Sequence, residues 1–227
     1  MRFAITAALI TATLAIPVAA SAQEFVPGPY VAIRAGRVLD ADLNIKDEQL
    51  KKPGALTRDA DGRAGWQGEA AFGYDFGGFR LEGAIGKGST TIDRSSKAAA
   101  AAFDAGGKFS KLDVMANAYY DLMPESTLTP YIGAGIGAAR ISGDFAKAQG
   151  LTSGATVVKD SAWALAYQGM AGVRYKASEN FELDLGIRHQ RTGEAKLKGQ
   201  LSNPKGTQEY PAKYSNTSVM LGAAFKF

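Results

Sequence analysis

The feature that most constrains this chain is a period-two alternation of apolar and polar residues that recurs about eight times along its length. It marks strands at roughly 29–37, 65–76, 79–87, 109–122, 130–141, 161–175, 180–191 and 214–227. Three segments show it best. In 79–85, Phe79, Leu81 and Ile85 share one face, while Arg80 and Glu82 share the other. In 181–188, Phe181, Leu183, Leu185 and Ile187 oppose Glu182, Asp184 and Arg188. In 218–227, Val219, Leu221, Ala223, Phe225 and Phe227 oppose Ser218, Met220, Gly222, Ala224 and Lys226. A helical face needs apolar residues at i, i+3 and i+4, and these segments repeat at i, i+2 and i+4 instead. Glycines such as Gly133, Gly135, Gly137, Gly169, Gly172 and Gly186 also disfavour helix. The one helix-like stretch is the alanine run from Lys97 to Ala102.

The connections alternate in length. Gly77-Gly78 reads as a tight hairpin turn, and 123–129 and 176–179 are the other short joins. Between them lie long polar segments near 38–64, 88–108, 142–160 and 192–213. Long structureless loops are uncommon in compact soluble domains. Because every second connection is long, all the long ones fall at one end of an up-and-down barrel, the layout of outer-membrane barrels.

Residues 1–22 read as an export signal. Arg2 gives a basic start, Phe3 to Val18 an apolar run, and Ala20-Ser21-Ala22 a small-residue cleavage site. Cleavage there leaves 23–227, a length that suits a single barrel domain. That part has no uninterrupted apolar stretch long enough for a spanning helix, which leaves strands as its only means of crossing a bilayer. The chain has no cysteine, so an exported fold must rest on a core or a closed sheet, and thiolate chemistry is excluded. The formal net charge of +4 drops by one with Arg2, too weak an excess to argue for nucleic acid as a partner.

Alternation alone does not say which face meets water, since a soluble lipocalin-like barrel that binds an apolar ligand alternates too. Three features point to a membrane. The aromatics Tyr74, Phe76, Phe79, Tyr120, Tyr175, Phe181, Phe225 and Phe227 fall on the apolar face near the short-turn ends, as an interfacial girdle would. The polar face is rich in Gly, Ala and Ser with charges of both signs, which suits a narrow bore. A soluble protein gains nothing from an exposed Phe-Lys-Phe end.

The segments Gly73-Tyr74-Asp75-Phe76, Phe79-Arg80-Leu81-Glu82, 117–122, 129–137 and the terminal Phe227 resemble the Opa-like and OmpA/OmpX-type outer-membrane β-barrel family of bacterial surface antigens. The resemblance covers nearly the whole mature chain and is specific for the barrel, not for an activity. It implies an all-β transmembrane antiparallel barrel of about eight strands with short periplasmic turns and long extracellular loops. It further implies insertion by the barrel-assembly machinery with Phe227 as the signal, and a role in surface contact or envelope integrity. The quoted segments hold no counterpart of the peptidoglycan-binding domain of longer OmpA-type proteins, so cell-wall anchoring is not implied.

On this sidedness Arg34, Glu69, Asp75, Arg80, Glu82, Asp113, Asp121, Arg174, Glu182, Asp184, Arg188 and Lys226 point into the lumen. With about eight strands the bore is just wide enough for side chains to fill it, so these charges must pair. The expected pairing sets Arg80, Arg174 and Arg188 against Glu82, Glu182 and Asp184. The alternative is a narrow aqueous path for ions or small solutes.

Enzymatic chemistry finds little support. His189 is the only histidine and falls on the lipid-side face near the far end of its strand, so Ser-His-Asp catalysis and multi-histidine metal sites are not expected. The G-x-G-x-x-A match at 133–138 lacks the strand–helix context of a dinucleotide site, and small lumen-facing residues explain it. No cofactor is expected. The long segments carry lysines, among them Lys97, Lys108, Lys196 and Lys198, that are candidate contacts for phosphates of outer-leaflet lipopolysaccharide. The functional expectation is a non-enzymatic outer-membrane barrel that serves envelope structure and surface display or adhesion through its loops.

Overall fold

The computed structural model describes residues 27–45, 58–92, 107–144, 159–201 and 206–227. The expected signal peptide at 1–22, the alanine run and Lys97 lie outside the described residues. Nine antiparallel strands follow in order: β1 (Gly28–Ile45), β2 (Arg58–Asp75), β3 (Phe79–Ile92), β4 (Gly107–Asp121), β5 (Leu128–Asp144), β6 (Lys159–Lys176), β7 (Phe181–Thr192), β8 (Ala195–Leu201) and β9 (Gly206–Lys226). Each of β1 to β6 pairs with the next, β7 pairs with β9, and β9 pairs with β1, which closes the sheet into a barrel. β8 continues the line of β7 after a break at Gly193 and Glu194: β7 pairs with 215–225 of β9, and β8 with 206–212. The barrel therefore has eight strand positions.

The strands run further than alternation suggests. β1 continues to Ile45, β2 begins at Arg58, and β8 with the first third of β9 occupies the segment expected to be a fourth long loop. The reason is visible in the sequence. Stretches such as Arg58-Asp59-Ala60-Asp61-Gly62 carry charge at both parities, so the apolar–polar contrast that reveals a strand is missing there. Such ends pair because a neighbouring strand already fixes their register. Register shifts between Val38 and Asp40 and between Arg63 and Gly65 mark where the regular ladder is interrupted.

At the other end the joins are short. Gly77 (φ 95°) and Gly78 (φ 97°) both take positive φ, as the two central residues of a type I′ hairpin turn require. The Phe76 N–H donates to the Phe79 carbonyl at 2.8 Å, and the Gly77 N–H donates to Asp75 Oδ1 at 3.1 Å.

The sidedness is unambiguous. Leu185 is 52% exposed and Leu221 63%, whereas Arg80 is 0% and Glu182 2%. A lipocalin-like barrel has the reverse arrangement, so that alternative falls. The outward face from Trp66 on β2 to Phe76, just past the end of that strand, spans about 34 Å along the chain, or about 26 Å along the barrel axis at a tilt of about 40°. That matches the apolar band of a membrane barrel.

Candidate functional site

The chemistry of this molecule is concentrated in its lumen, which is polar instead of oily. Among the described inward side chains, the cations Arg34, Arg80, Lys111, Arg174, Arg188 and Lys226 face the anions Glu69, Asp75, Glu82, Asp113, Asp121, Glu182 and Asp184. They stack in tiers.

Nearest the short turns, Arg174 lies 2.6 Å from Glu182 and 3.7 Å from Asp75, and Lys226 lies 2.8 Å from Asp75 and 3.3 Å from Glu182. Arg80 forms a two-pronged contact with Asp121 at 2.7 and 2.8 Å. Its guanidinium also lies 4.5 Å from the Tyr119 ring centre and 5.2 Å from that of Tyr131, within cation–π range.

The middle tier is built on Arg34. It donates to Glu69 at 2.8 Å and to both oxygens of Glu82 at 2.7 and 2.9 Å, with Asp184 3.6 Å away. Glu82 also accepts from Tyr30 and Tyr119, each at 3.1 Å, and from Asn117 at 3.2 Å. Arg188 donates to Glu69 at 2.6 and 2.9 Å. In the upper tier Lys111 pairs with Asp113 at 2.8 Å and donates to Gln190, while Gln67 donates to Ser218.

Many of these contacts bridge the bore. Arg174 to Asp75 joins β6 to β2, which stand four positions apart, diametrically opposite among the eight. Arg188 to Glu69 joins β7 to β2, and Lys111 to Gln190 joins β4 to β7. Apart from Lys111 and Asp113, which pair within β4, each desolvated charge is thus matched by an opposite charge from another strand, and opposite-charge pairing is the condition under which buried ions are tolerated.

The expected pairing is corrected in detail. Arg174 does meet Glu182, but Arg80 pairs with Asp121 and Arg188 with Glu69, while Glu82 and Asp184 belong to Arg34. Alternation tells which face a residue takes, while the stagger of tilted strands sets its height, and height selects the partner. The inward tyrosines Tyr30, Tyr119 and Tyr131 and the inward Lys111 escape the sequence reading as members of the network. Tyr119 and Tyr120 are adjacent, so one of them had to face inward. The glycines of β5 make room for such bulk: a Cβ on Gly133 would stand 2.6 Å from the Tyr119 ring, and one on Gly135 2.1 Å from Asn117 Oδ1.

On the outer wall, Tyr74, Phe76, Phe79, Tyr120, Tyr175, Phe181, Phe225 and Phe227 are exposed near the short-turn end, with Tyr74–Phe76 and Phe76–Phe79 ring centres 4.6 and 6.3 Å apart. A second set, Trp66, Trp163 and Tyr167, is exposed at the opposite edge of the apolar belt. Their outward parity and distance from the short turns were the available signal. His189 is exposed on the outer wall, with Nδ1 2.9 Å from Thr217 Oγ1 and Nε2 accepting from Arg191 at 3.0 Å. Lys108 lies on β4, and Lys196 and Lys198 lie on β8. Among the described residues no group of three or more His, Cys, Asp or Glu side chains is placed to hold a metal ion.

Comparison with known proteins agrees with this architecture. The family model described as outer membrane protein beta-barrel domain matches residues 8–227. The outer membrane protein OprG of Pseudomonas aeruginosa is similar in structure, with a TM-score of 0.55 and 17% identity over 88% of this chain and 96% of that one. A major outer membrane protein from Thermus thermophilus gives a TM-score of 0.52 at 13% identity, covering 88% of this chain and 99% of that one. A Brucella abortus protein described as uncharacterized is 40% identical over 93 residues. The matched stretch is 39% of this chain and 33% of that protein.

Proposed function

The chain belongs to the outer membrane protein β-barrel family and resides in the bacterial outer membrane, and from that premise we propose that it is a non-enzymatic scaffold for envelope structure and for surface display or adhesion through its long connections. The single observation that carries the reading is the lumen plug. Ion pairs cross the bore at more than one height, and Arg80, Tyr30 and Met115 within it are essentially without solvent contact. Such a core braces the wall and leaves function to the exterior, where loops held by a rigid scaffold are the usual sites of recognition. Two further facts support a non-enzymatic role. The lumen carboxylates are engaged in ion pairs, and the only histidine bonds to Thr217 and Arg191 on the outer wall. Contact with outer-membrane lipid and assembly by the barrel-insertion machinery belong to the same reading.

Planar-bilayer recording tests it. The full barrel refolded into phosphatidylcholine membranes is expected to show no steady conductance. Reproducible unit steps would replace the scaffold with a narrow pore for ions or small solutes. Cells that display the full chain are expected to adhere better than cells that display a version with trimmed long connections, and equal adhesion would remove the display role.

A further inference from the structure

The outer wall of β3 to β6 carries, immediately above its apolar belt, an arrangement that neither the plug nor the long connections explain. Ser89, Ser110, Ser142 and Ser161 are direct cross-strand partners, so four outward hydroxyls form one continuous row across four strands. One step closer to the belt is a second row, in which Lys87 pairs with Leu112, Leu112 with Arg140, and Arg140 with Trp163. Trp66 pairs with Ser89 and bounds the first row. The next row inward is Ile85, Val114, Ala138 and Leu165, which is wholly apolar. The wall is thus graded from hydroxyl through cation to hydrocarbon.

The charges are set for an anion. Arg140 donates to Ser161 Oγ through Nε at 3.1 Å and Nη2 at 2.8 Å, which keeps the guanidinium beside the hydroxyl row. Lys87 is exposed and has no ion-pair partner among the described residues. The two cations stand two strands apart, about 10 Å between Cα atoms, close enough for both side chains to reach one phosphate lying over Leu112. On the stretches 79–90, 110–121, 128–142 and 161–176 of β3 to β6 no carboxylate faces outward, whereas the short-turn rim exposes Glu125 and Glu179. Anionic headgroups are therefore favoured at the long-connection edge of the wall.

We propose that this patch is a docking site for a phosphorylated glycolipid of the outer leaflet. Lys87 and Arg140 hold its phosphate, the serine row hydrogen-bonds its sugar and phosphate oxygens, and its acyl chains lie along the apolar rows below. The inference rests on the membrane placement of the preceding reading and adds to it a specific lipid partner. A soluble anion lacks the acyl contact and does not account for the position of the cations at the hydrocarbon edge.

Trp66 and Trp163 are the only tryptophans of the chain and both border the patch, so intrinsic fluorescence reports on it directly. The full-length barrel is refolded into phosphatidylcholine vesicles that contain increasing fractions of bis-phosphorylated lipid A. A saturable change in tryptophan emission is expected with lipid A and not with its dephosphorylated form. The K87Q/R140Q variant is expected to need about thirtyfold more lipid A for half-saturation, while Lys213→Gln, outside the patch, leaves the curve unchanged. The charge reversal Lys87→Glu provides a second, independent loss. Equal curves for wild type and K87Q/R140Q, or equal responses to the two lipids, would overturn the site. So would saturation by a soluble sulfated oligosaccharide that competes with lipid A, since it would assign the patch to a glycan. Heat-modifiable gel migration of every vesicle sample reports insertion separately: a barrel that inserts yet ignores lipid A refutes this site alone, whereas one that fails to insert refutes the membrane scaffold.

Discussion

Glu82 is the most connected acceptor of the lumen, taking hydrogen bonds from Arg34, Tyr30, Tyr119 and Asn117. Its removal leaves the buried Arg34 with Glu69 and a more distant Asp184, and strands the donors that had converged on it. Glu82→Ala is therefore expected to destabilise the folded barrel by about 3–5 kcal/mol, because breaking a buried pair exposes the survivor to the full desolvation penalty. Glu82→Gln, which keeps an acceptor but loses the charge, is expected to fall between wild type and alanine. Urea unfolding in lipid vesicles measures both, and an alanine variant as stable as wild type would show that the plug contributes nothing to stability. The identity of Glu82 as an inward residue is legible from alternation, since it shares parity with Arg80. Its role as a hub is not, because its donors come from β1 and β4.

At the scale of elements, β8 and β9 show how a closed sheet carries an appendage. Every described β1–β9 pair lies at 212–226 of β9, and the β7–β9 pairs lie at 215–225, so the 206–211 part of β9 and its partner β8 extend beyond the closure. Replacement of 196–211 by a short turn is expected to leave the far-UV circular dichroism of a barrel and its heat-modifiable migration intact. Loss of both would show that the appendage is needed for closure. The sequence hides this element because Lys196-Leu197-Lys198 is followed by Gly199 and, shortly after, by Pro204 and Gly206, signals that read as loop. The strand exists because β9 offers it an unpaired edge above the barrel. The Gly77-Gly78 turn is the opposite case, where local chemistry alone specified the connection.

At the scale of the whole molecule, the barrel is an inverted globule with a polar interior and an apolar outer belt edged by aromatics at both ends. Its stability in the bilayer should then depend on depth at outward positions. Leu185, midway between Phe181 and His189 on β7, is expected to lose about 2–4 kcal/mol on substitution by Arg, and Thr217, near the belt's upper edge, about 0–1 kcal/mol. Unfolding in phosphatidylcholine vesicles compares the two directly. Equal losses at both positions would contradict the height assigned to the belt.

The sequence by itself determined which side chains share a face. Successive residues of a strand point to opposite sides as a matter of covalent geometry, and the contrast between Leu183 or Leu185 and Glu182 or Asp184 is enough to sort them. The strand count and the alternation of short with long connections followed from the same pattern. Only the tertiary structure decided which residues stand at the same height, and hence that Arg188 meets Glu69 and that four serines from four strands align. Height around a barrel depends on strand tilt and stagger, which are collective properties of closure.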